Sequence, residues 1–223
     1  MAHLTHSWDL SPQAAVALQQ QLAGQIVTEV QFKAVRTVAG IDVSIRDDLG
    51  RAAVVVFSYP ELEIVAHSMA TRTITLPYIP GLLSFREGPV VLEALGKLSP
   101  APDLLIFDAQ GIAHPRRLGL ASHIGLITDL PAIGCAKSRL CGHYQEPAPE
   151  RGSYAWLSDQ GETIGAAVRT RAKVKPVFVS IGHRIDLPTS IAYVLNTCRG
   201  YRLPEPTRRA HQAAGGNLPS FFL

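Results

Sequence analysis

The stretch from residue 38 to residue 44 is Val38-Ala39-Gly40-Ile41-Asp42-Val43-Ser44. This alternation is typical of a β-strand, and it puts Asp42 on the face opposite to Ile41 and Val43. Aspartate is depleted in strands, and an unpaired carboxylate is costly to bury. Asp42 therefore needs a cationic partner, for which a metal ion and an arginine are equal candidates.

Two further β-rich runs follow the first one. The three runs cover about residues 38–46, 52–58 and 62–74, and they are separated by turn signals at Asp47-Asp48-Leu49-Gly50 and Tyr59-Pro60. Runs at this spacing predict an antiparallel meander of three strands.

Helical and β-rich segments alternate in the rest of the chain. The expected elements are a helix opening at Pro89, a buried strand over Leu104–Phe107, a helix at about 116–129, a strand at about 132–137, a hairpin at 153–170, a strand at 177–181 and a helix at about 188–199. A helix that Ser11 caps, with Pro12 at its first position, precedes the meander. This order predicts an α/β fold in which a mixed β-sheet is flanked by helices, as in the ribonuclease H-like fold, within a single domain over residues 1–223.

Composition narrows the class of protein. The 223 residues are 47% hydrophobic, which suits one full core, and the net charge of +3 permits a polyanionic partner without requiring one. Three cysteines without a Cys-x-x-Cys pair argue against a disulfide framework or a zinc finger. The first residues lack a secretory signal, and no run of eighteen apolar residues occurs. We therefore expect a cytoplasmic protein that does not engage the membrane.

Asp108 directly follows the apolar run Leu104–Phe107. It should therefore lie at the carboxyl end of a buried strand, where the ligands of open α/β sheets gather. The alternative is an aspartate that begins a loop by bonding to local backbone amides.

Glu87 has two interpretations. It follows Ser84 by three residues, as in a capping box that would make it structural. Pro89, however, fits best as the first residue of a helix, because a proline deeper in the helix would remove a backbone hydrogen bond. We therefore expect Glu87 just outside the helix and free to point at a ligand.

The three carboxylates of Asp42, Glu87 and Asp108 are more informative as a group than singly. Two like charges about 4 Å apart repel by roughly 4 kcal/mol at an effective dielectric constant near 20, so such a cluster needs cations. Oxygen ligands without thiolates suit Mg²⁺ or Mn²⁺, and an ion of this kind polarises a phosphoryl oxygen and activates water.

Four basic residues recur at every second position, namely Arg169, Arg171, Lys173 and Lys175. On a strand, these four side chains would share one face. That face would either contact phosphates or protect an edge strand from aggregation, and the sequence favours neither.

Several motifs resemble the endonuclease V family in order and spacing. They are the stretch 38–44 and the segments 77–89, 108–117, 136–142, 179–187 and 201–211. The thirteen-residue segment Pro77-Tyr78-Ile79-Pro80-Gly81-Leu82-Leu83-Ser84-Phe85-Arg86-Glu87-Gly88-Pro89 is highly specific. One departure is Ala109, where the family pattern leads us to expect glycine.

The resemblance implies a nuclease that recognises deaminated adenine, hypoxanthine, in nucleic acid. It implies hydrolysis of the second phosphodiester bond 3′ to the altered base, leaving a 3′-hydroxyl and a 5′-phosphate. Mg²⁺, which Mn²⁺ would replace, is expected at Asp42, Glu87 and Asp108, with a contribution from His211. Lys137 would lie beside the scissile phosphate and His114 would support the site, although a lone lysine after a strand is more often merely solvated.

The resemblance also implies how the base is found. Pro77, Tyr78, Ile79 and Pro80 correspond to a wedge that replaces a displaced base in the stack, although an exposed Tyr-Ile pair is also common at partner contacts or packed loop tips. The hypoxanthine pocket would be lined by Leu83, Gly111, Gly119, Leu120, Ala136 and Leu140.

Other functions compete with this interpretation. An inosine-specific endoribonuclease would share the motifs, because the contacts to a 2′-hydroxyl that separate RNA from DNA are not visible in the sequence. A general ribonuclease H-like nuclease or junction resolvase would keep the carboxylates but not the wedge. A nucleic-acid-binding module without activity would not need the carboxylates. We expect inosine-containing DNA, or RNA, as the partner of a monomeric enzyme.

Overall fold

The computed structural model describes residues 5–217, which form eight strands and five helices. The strands are β1 (Thr37–Arg46), β2 (Leu49–Ser58), β3 (Ile64–Thr73), β4 (Leu104–Phe107), β5 (Ala132–Ala136), β6 (Tyr154–Asp159), β7 (Glu162–Val168) and β8 (Val177–His183). The helices are α1 (Pro12–Ala23), α2 (Leu83–Leu95), α3 (Leu120–Thr128), α4 (Leu187–Asn196) and α5 (Glu205–Ala214).

The strands form one mixed sheet in the order β3-β2-β1-β4-β5-β8-β7-β6. The first three strands are the expected antiparallel meander, and the turn between β1 and β2 has Asp47 and Asp48 at φ of 49° and 58°. The strands β4 and β5 run parallel to β1, whereas β8, β7 and β6 continue the sheet by antiparallel pairing. This arrangement confirms the ribonuclease H-like fold.

The three parallel strands end at the same edge of the sheet. Ile41 of β1 is paired with Phe107 of β4, which in turn is paired with Gly134 of β5. The residues that follow these positions therefore meet at one edge, and they include Asp42 and Asp108.

Helices cover both faces of the sheet. The helices α2 and α3 pack against the face that carries Ala39 and Ile41, and α4 and α5 pack against the other face. The contact of α5 with β1 is close, because a Cβ atom on Gly40 would lie 2.0 Å from the carbonyl carbon of Pro206. A glycine at this position thus lets the last helix approach the strand that carries Asp42.

The prediction for α2 was wrong at its beginning. The helix starts at Leu83, so Pro89 lies inside it and Glu87 belongs to its second turn. Ser84 is not the N-cap, since its hydroxyl contacts the ring of His123 instead. The burial of Phe85 against Ala15 and Leu82 explains the longer element, because it offsets the one hydrogen bond that Pro89 cannot donate.

The basic series does not share a strand face, so that expectation was also wrong. The strand β7 ends at Val168, and residues 169–176 form a loop in which Lys173 has a φ of 61°. Arg169 is buried, and its guanidinium lies 2.6 Å from Glu146 and donates to the carbonyl of Pro147. Only the side chains of Arg171, Lys173 and Lys175 face solvent.

Two more differences concern helices. The helix expected at 116–129 begins only at Leu120, because other backbone bonds hold the preceding segment: the amide of Ile112 donates to Ile181 of β8, and the amide of Gly119 donates to Gly111. The helix α5 was not predicted at all, although Pro206 near its beginning is a typical start signal. Within residues 5–217, no helix has the length and apolar character needed to cross a membrane.

Candidate active site

Three predicted metal ligands meet at the edge of the sheet. Asp42 comes from β1, Asp108 follows β4 and His211 comes from α5, and one ligand atom of each lies within 4.8 Å of the others. The Nδ1 atom of His211 is 2.7 Å from Oδ2 of Asp42. The grouping brings together residues that are far apart in the sequence, and it sits where the parallel strands end.

The carboxylates in this region repel one another. Burial raises the pKa of Asp42, and the nearby Asp108 raises it further, whereas the hydrogen bond to His211 opposes the shift. Burial also raises the pKa of Glu87 to about 8, with Asp42 as the next cause. Glu87 is thus close enough for the charges of both aspartates to raise its pKa, although its carboxylate is not part of the three-residue cluster.

Lys137 is the cation nearest to the cluster. Its ammonium group forms an ion pair with Oδ2 of Asp108, so it is not merely a solvated lysine after a strand. The backbone of Lys137 is held by Arg202, whose guanidinium donates to the carbonyls of Lys137 and Pro176. Arg202 therefore helps to fix the position of Lys137.

The cluster fits a divalent metal ion. Oδ2 of Asp108 is buried and, apart from its ion pair with Lys137, accepts no hydrogen bond of regular geometry. A carboxylate with a raised pKa, a carboxylate with an unsatisfied oxygen and one imidazole form a donor set that oxygen-preferring cations bind. Asp42, Asp108 and His211 would hold such an ion, with Glu87 close by.

The cluster opens into a cavity of about 420 Å³. Most of the predicted pocket residues line this cavity, namely Leu83, Gly119, Leu120, Ala136 and Leu140. Gly111 does not line it. Its amide donates to Oγ of Ser180, and a Cβ atom there would lie 2.0 Å from the carbonyl oxygen of Ile181, so Gly111 packs against β8 behind the pocket wall.

The predicted wedge forms part of the rim. Tyr78 lines the cavity while 65% of its surface is exposed, and Pro77 and Pro80 are exposed on either side of it. Ile79 instead turns inward and packs against the cluster around Leu82. The segment therefore has one exposed aromatic ring and one apolar anchor.

His114 supports the rim rather than the metal cluster. Its Nδ1 atom accepts a hydrogen bond from the amide of Arg116 at 3.1 Å, so Nε2 carries the proton and donates to the carbonyl of Gly81 at 3.0 Å. Burial, and next the charge of Arg116, lower the pKa of His114 to about 4. A neutral ring thus ties the loop after Asp108 to the segment of Tyr78.

Gln19 is a site residue that the sequence interpretation did not identify. Its buried amide donates to the carbonyls of Gly81 and Leu118, and its oxygen accepts from Nε of Arg116 at 2.6 Å. The signal was a glutamine on the apolar side of α1, between Ala15 and Leu22. Gln19 therefore joins the base of the rim to the helix that precedes the meander.

A mixed sheet of this order, with acidic ligands and a lysine at the ends of its parallel strands, defines a nuclease of the ribonuclease H-like class. The sequence model of the endonuclease V family matches residues 20–212. An endonuclease V from Methanothrix thermoacetophila is 53% identical over 206 residues, which are 92% of each chain. The chain belongs to the endonuclease V family.

Solved structures agree with this assignment. The endonuclease V from Streptomyces avermitilis is 41% identical and superposes with a TM-score of 0.90 over 99% of this chain and 98% of that one. The endonuclease V from Ciona intestinalis, carrying D234N in that protein, was solved with a 23mer DNA containing an inosine followed by a ribo-adenosine. It is 26% identical, with a TM-score of 0.80 over 93% of this chain and 98% of that one.

Proposed function

We propose that this nuclease is a Mg²⁺-dependent endonuclease for deaminated bases in DNA. It recognises deoxyinosine and hydrolyses the second phosphodiester bond 3′ to it, leaving a 3′-hydroxyl and a 5′-phosphate, as a step in DNA repair. The observation that carries the proposal is that the cluster of Asp42, Asp108 and His211 opens into the cavity whose rim bears Tyr78.

The residues of the chain divide the work. A bound Mg²⁺, for which Mn²⁺ would substitute, would supply Lewis acidity for activating water and for stabilising the charge that develops on the phosphate. Asp42, Asp108 and His211 would hold the ion, and Glu87 lies close by as a further ligand that would lose its proton on metal binding. Lys137 presents a fixed positive charge beside Asp108, where it stabilises the negative charge of the transition state.

The cavity beyond the metal cluster is suited to a flat base. Its lining residues Leu83, Gly119 and Leu120 are small or apolar, and the first turn of α3 begins there. The amides of Gly119 and Ala121 already donate to Gly111 and Gln110, so reading the 6-oxo group that hypoxanthine has and adenine lacks would fall to other backbone amides of this wall. The inosine-containing DNA bound to the Ciona relative supports this assignment.

An inosine-specific endoribonuclease is the second candidate. The ribo-adenosine that follows the inosine in the Ciona complexes favours it, because a ribonucleotide occupies the position next to the altered base there. The two candidates differ in substrate but share the metal site, the pocket and the wedge.

One experiment tests the proposal and separates the candidates. A duplex with a single deoxyinosine is incubated with the protein and Mg²⁺, the product ends are mapped, and matched strands carrying inosine in RNA are cleaved in parallel. Nicking at the second bond 3′ to deoxyinosine supports the DNA function. Cleavage of only the RNA strand selects the second candidate, and no cleavage of either refutes both.

A further inference from the structure

The same edge of the sheet that carries the metal cluster continues beyond it. Ala136 of β5 is paired with Phe178 of β8, Phe178 with Ala167 of β7, and Val168 of β7 with Tyr154 of β6. The amino end of β6 and the loop 169–176 therefore lie at the catalytic edge. With neighbouring strands about 4.8 Å apart, the edge from β5 to β6 measures about 14 Å.

Positive charge lines this part of the edge. Arg171, Lys173 and Lys175 are exposed, and within residues 5–217 none of them pairs with a carboxylate. Glu146, an acidic residue nearby, is already neutralised by Arg169. The loop is also joined to the active site, because Arg202 donates to the carbonyls of both Lys175 and Lys137.

Two exposed aromatic rings stand where this charged edge ends. Tyr154 and Trp156 project from the same face of the outermost strand, with 47% and 46% of their surfaces exposed. Their ring centroids are 4.9 Å apart in an edge-to-face arrangement. The carbonyl of the adjoining residue Ser153 accepts a hydrogen bond from the amide of Arg169, so the strand that carries the rings begins beside the start of the basic loop.

A run of positive charge that leads to exposed aromatic rings is a usual arrangement for binding single-stranded nucleic acid, because the charges follow the phosphates and the rings stack on bases. We propose that a single strand leaving the catalytic cavity is bound along this edge. Its phosphates contact the basic loop and a base stacks on the aromatic pair; the residues of this edge track are Arg171, Lys173, Lys175, Tyr154 and Trp156. The inference rests on the proposed function, because it takes the substrate strand as the occupant.

The test compares two labelled single-stranded oligonucleotides with one deoxyinosine each, measured by fluorescence anisotropy in Ca²⁺. One of about five nucleotides fills the cavity alone, and one of about twenty also covers the edge track. We expect the wild type to bind the long strand more tightly than the short one. In Tyr154→Ala/Trp156→Ala this advantage should shrink about tenfold, whereas Trp156→Phe should retain most of it.

The charged part of the edge track is tested separately, by the salt dependence of binding. Arg171→Gln/Lys173→Gln should lower the slope of log affinity against log salt for the long strand by about 1.4, since each phosphate contact on a single strand contributes about 0.7. Two matched controls change exposed residues elsewhere, namely Val65→Ala on the opposite edge strand and Lys33→Gln before β1. Both controls should keep the length advantage and the salt slope of the wild type.

Other outcomes overturn the inference. If both double variants still bind the long strand more tightly than the short one by the wild-type factor, and thermal melting shows that they are folded, the edge track is refuted. If instead light scattering shows that the aromatic pair holds a dimer together, the surface is a contact between copies of the chain. Cleavage in Mg²⁺ is measured alongside: a wild type that keeps its length advantage but never cuts refutes the proposed function and leaves the edge track standing.

Discussion

Nδ1 of His211 lies 2.7 Å from Oδ2 of Asp42, so α5 and β1 meet at the proposed metal site. The contact orients the imidazole and opposes the raised pKa of Asp42. His211 is therefore placed to complete a metal site rather than to occupy an independent surface position, and the site's behaviour should depend on both residues.

Removing one aspartate should stop cleavage without unfolding the protein. Asp42→Ala and Asp108→Ala each delete a proposed metal ligand and relieve the repulsion between buried carboxylates. We expect nicking rates to fall by at least about a hundredfold, while the melting temperature stays the same or rises. Nicking by either variant at the wild-type rate in millimolar Mg²⁺ would contradict the metal assignment.

Metal exchange should separate binding from turnover. EDTA should abolish nicking, and Mg²⁺ or Mn²⁺ should restore it. Ca²⁺ should support substrate binding better than cleavage, because its looser and larger coordination shell fits the reaction poorly. Binding is measured by anisotropy and cleavage by gel; efficient cleavage in EDTA would refute a metal-dependent mechanism.

Tyr78 should matter most on duplex DNA. If its ring replaces a displaced base, Tyr78→Ala loses about 1–3 kcal/mol of stacking, which lowers discrimination for inosine roughly ten- to a hundredfold. On single-stranded substrates the loss should shrink, and Tyr78→Phe should remain active because the ring does the stacking. Single-turnover rates on both substrates check this, and an equal loss on both would assign Tyr78 to the pocket or the fold instead.

Acid should destabilise the protein through two buried histidines. Burial lowers the pKa of His114 to about 4, and burial with the nearby His6 lowers the pKa of His123 to about 3. Both folded-state values lie below the unfolded value of about 6.5, so the unfolded chain binds protons first as the pH falls. The stability that the two neutral histidines contribute is thus complete above about pH 6.5 and is lost toward pH 4, whereas protonation of buried Glu87, whose pKa is raised to about 8, acts in the opposite direction over the same range.

The size of this effect follows from linkage. Each histidine should cost about 2 kcal/mol between pH 7.5 and pH 5. Urea denaturation at the two pH values measures the loss, and His123→Gln should reduce it by about the contribution of one histidine. An identical loss in wild type and variant would show that other groups dominate acid unfolding.

The sequence was most informative where chemistry and strand pattern coincide. Asp42 is a charged residue in the middle of an alternating strand, and Asp108 directly follows an apolar strand. The parallel pairing of those strands is sufficient to bring the two carboxylates together. The local rule failed at Glu87, because the burial of Phe85 outweighs the preference of Pro89 for a helix start. Tertiary packing, which no short window records, decided that position.

Other features had no clear sequence signal. The buried residues of α5, such as Ala210 and Ala213, are too small to form a recognisable apolar stripe among its arginines. The basic series has a period of two, but a strand needs pairing as well as periodicity, and within the described residues the pairing stops after the backbone bonds of Arg169 to Gly152 and Ser153. The role of Gln19 depends on Gly81 and Leu118, far away in the chain, and so became visible only in three dimensions.

The close approach of α5 to Gly40 has a consequence for how the nuclease comes into being. The three clustered residues proposed to bind the metal are 42, 108 and 211, so a growing chain carries an incomplete centre until α5 has emerged from the ribosome and docked. A newly made molecule would therefore lack the complete proposed metal site until α5 has been synthesised. Gly40→Ala should prolong that incomplete state, because the added methyl group collides with the backbone of Pro206, and a normal rate of gaining activity during refolding would argue against it.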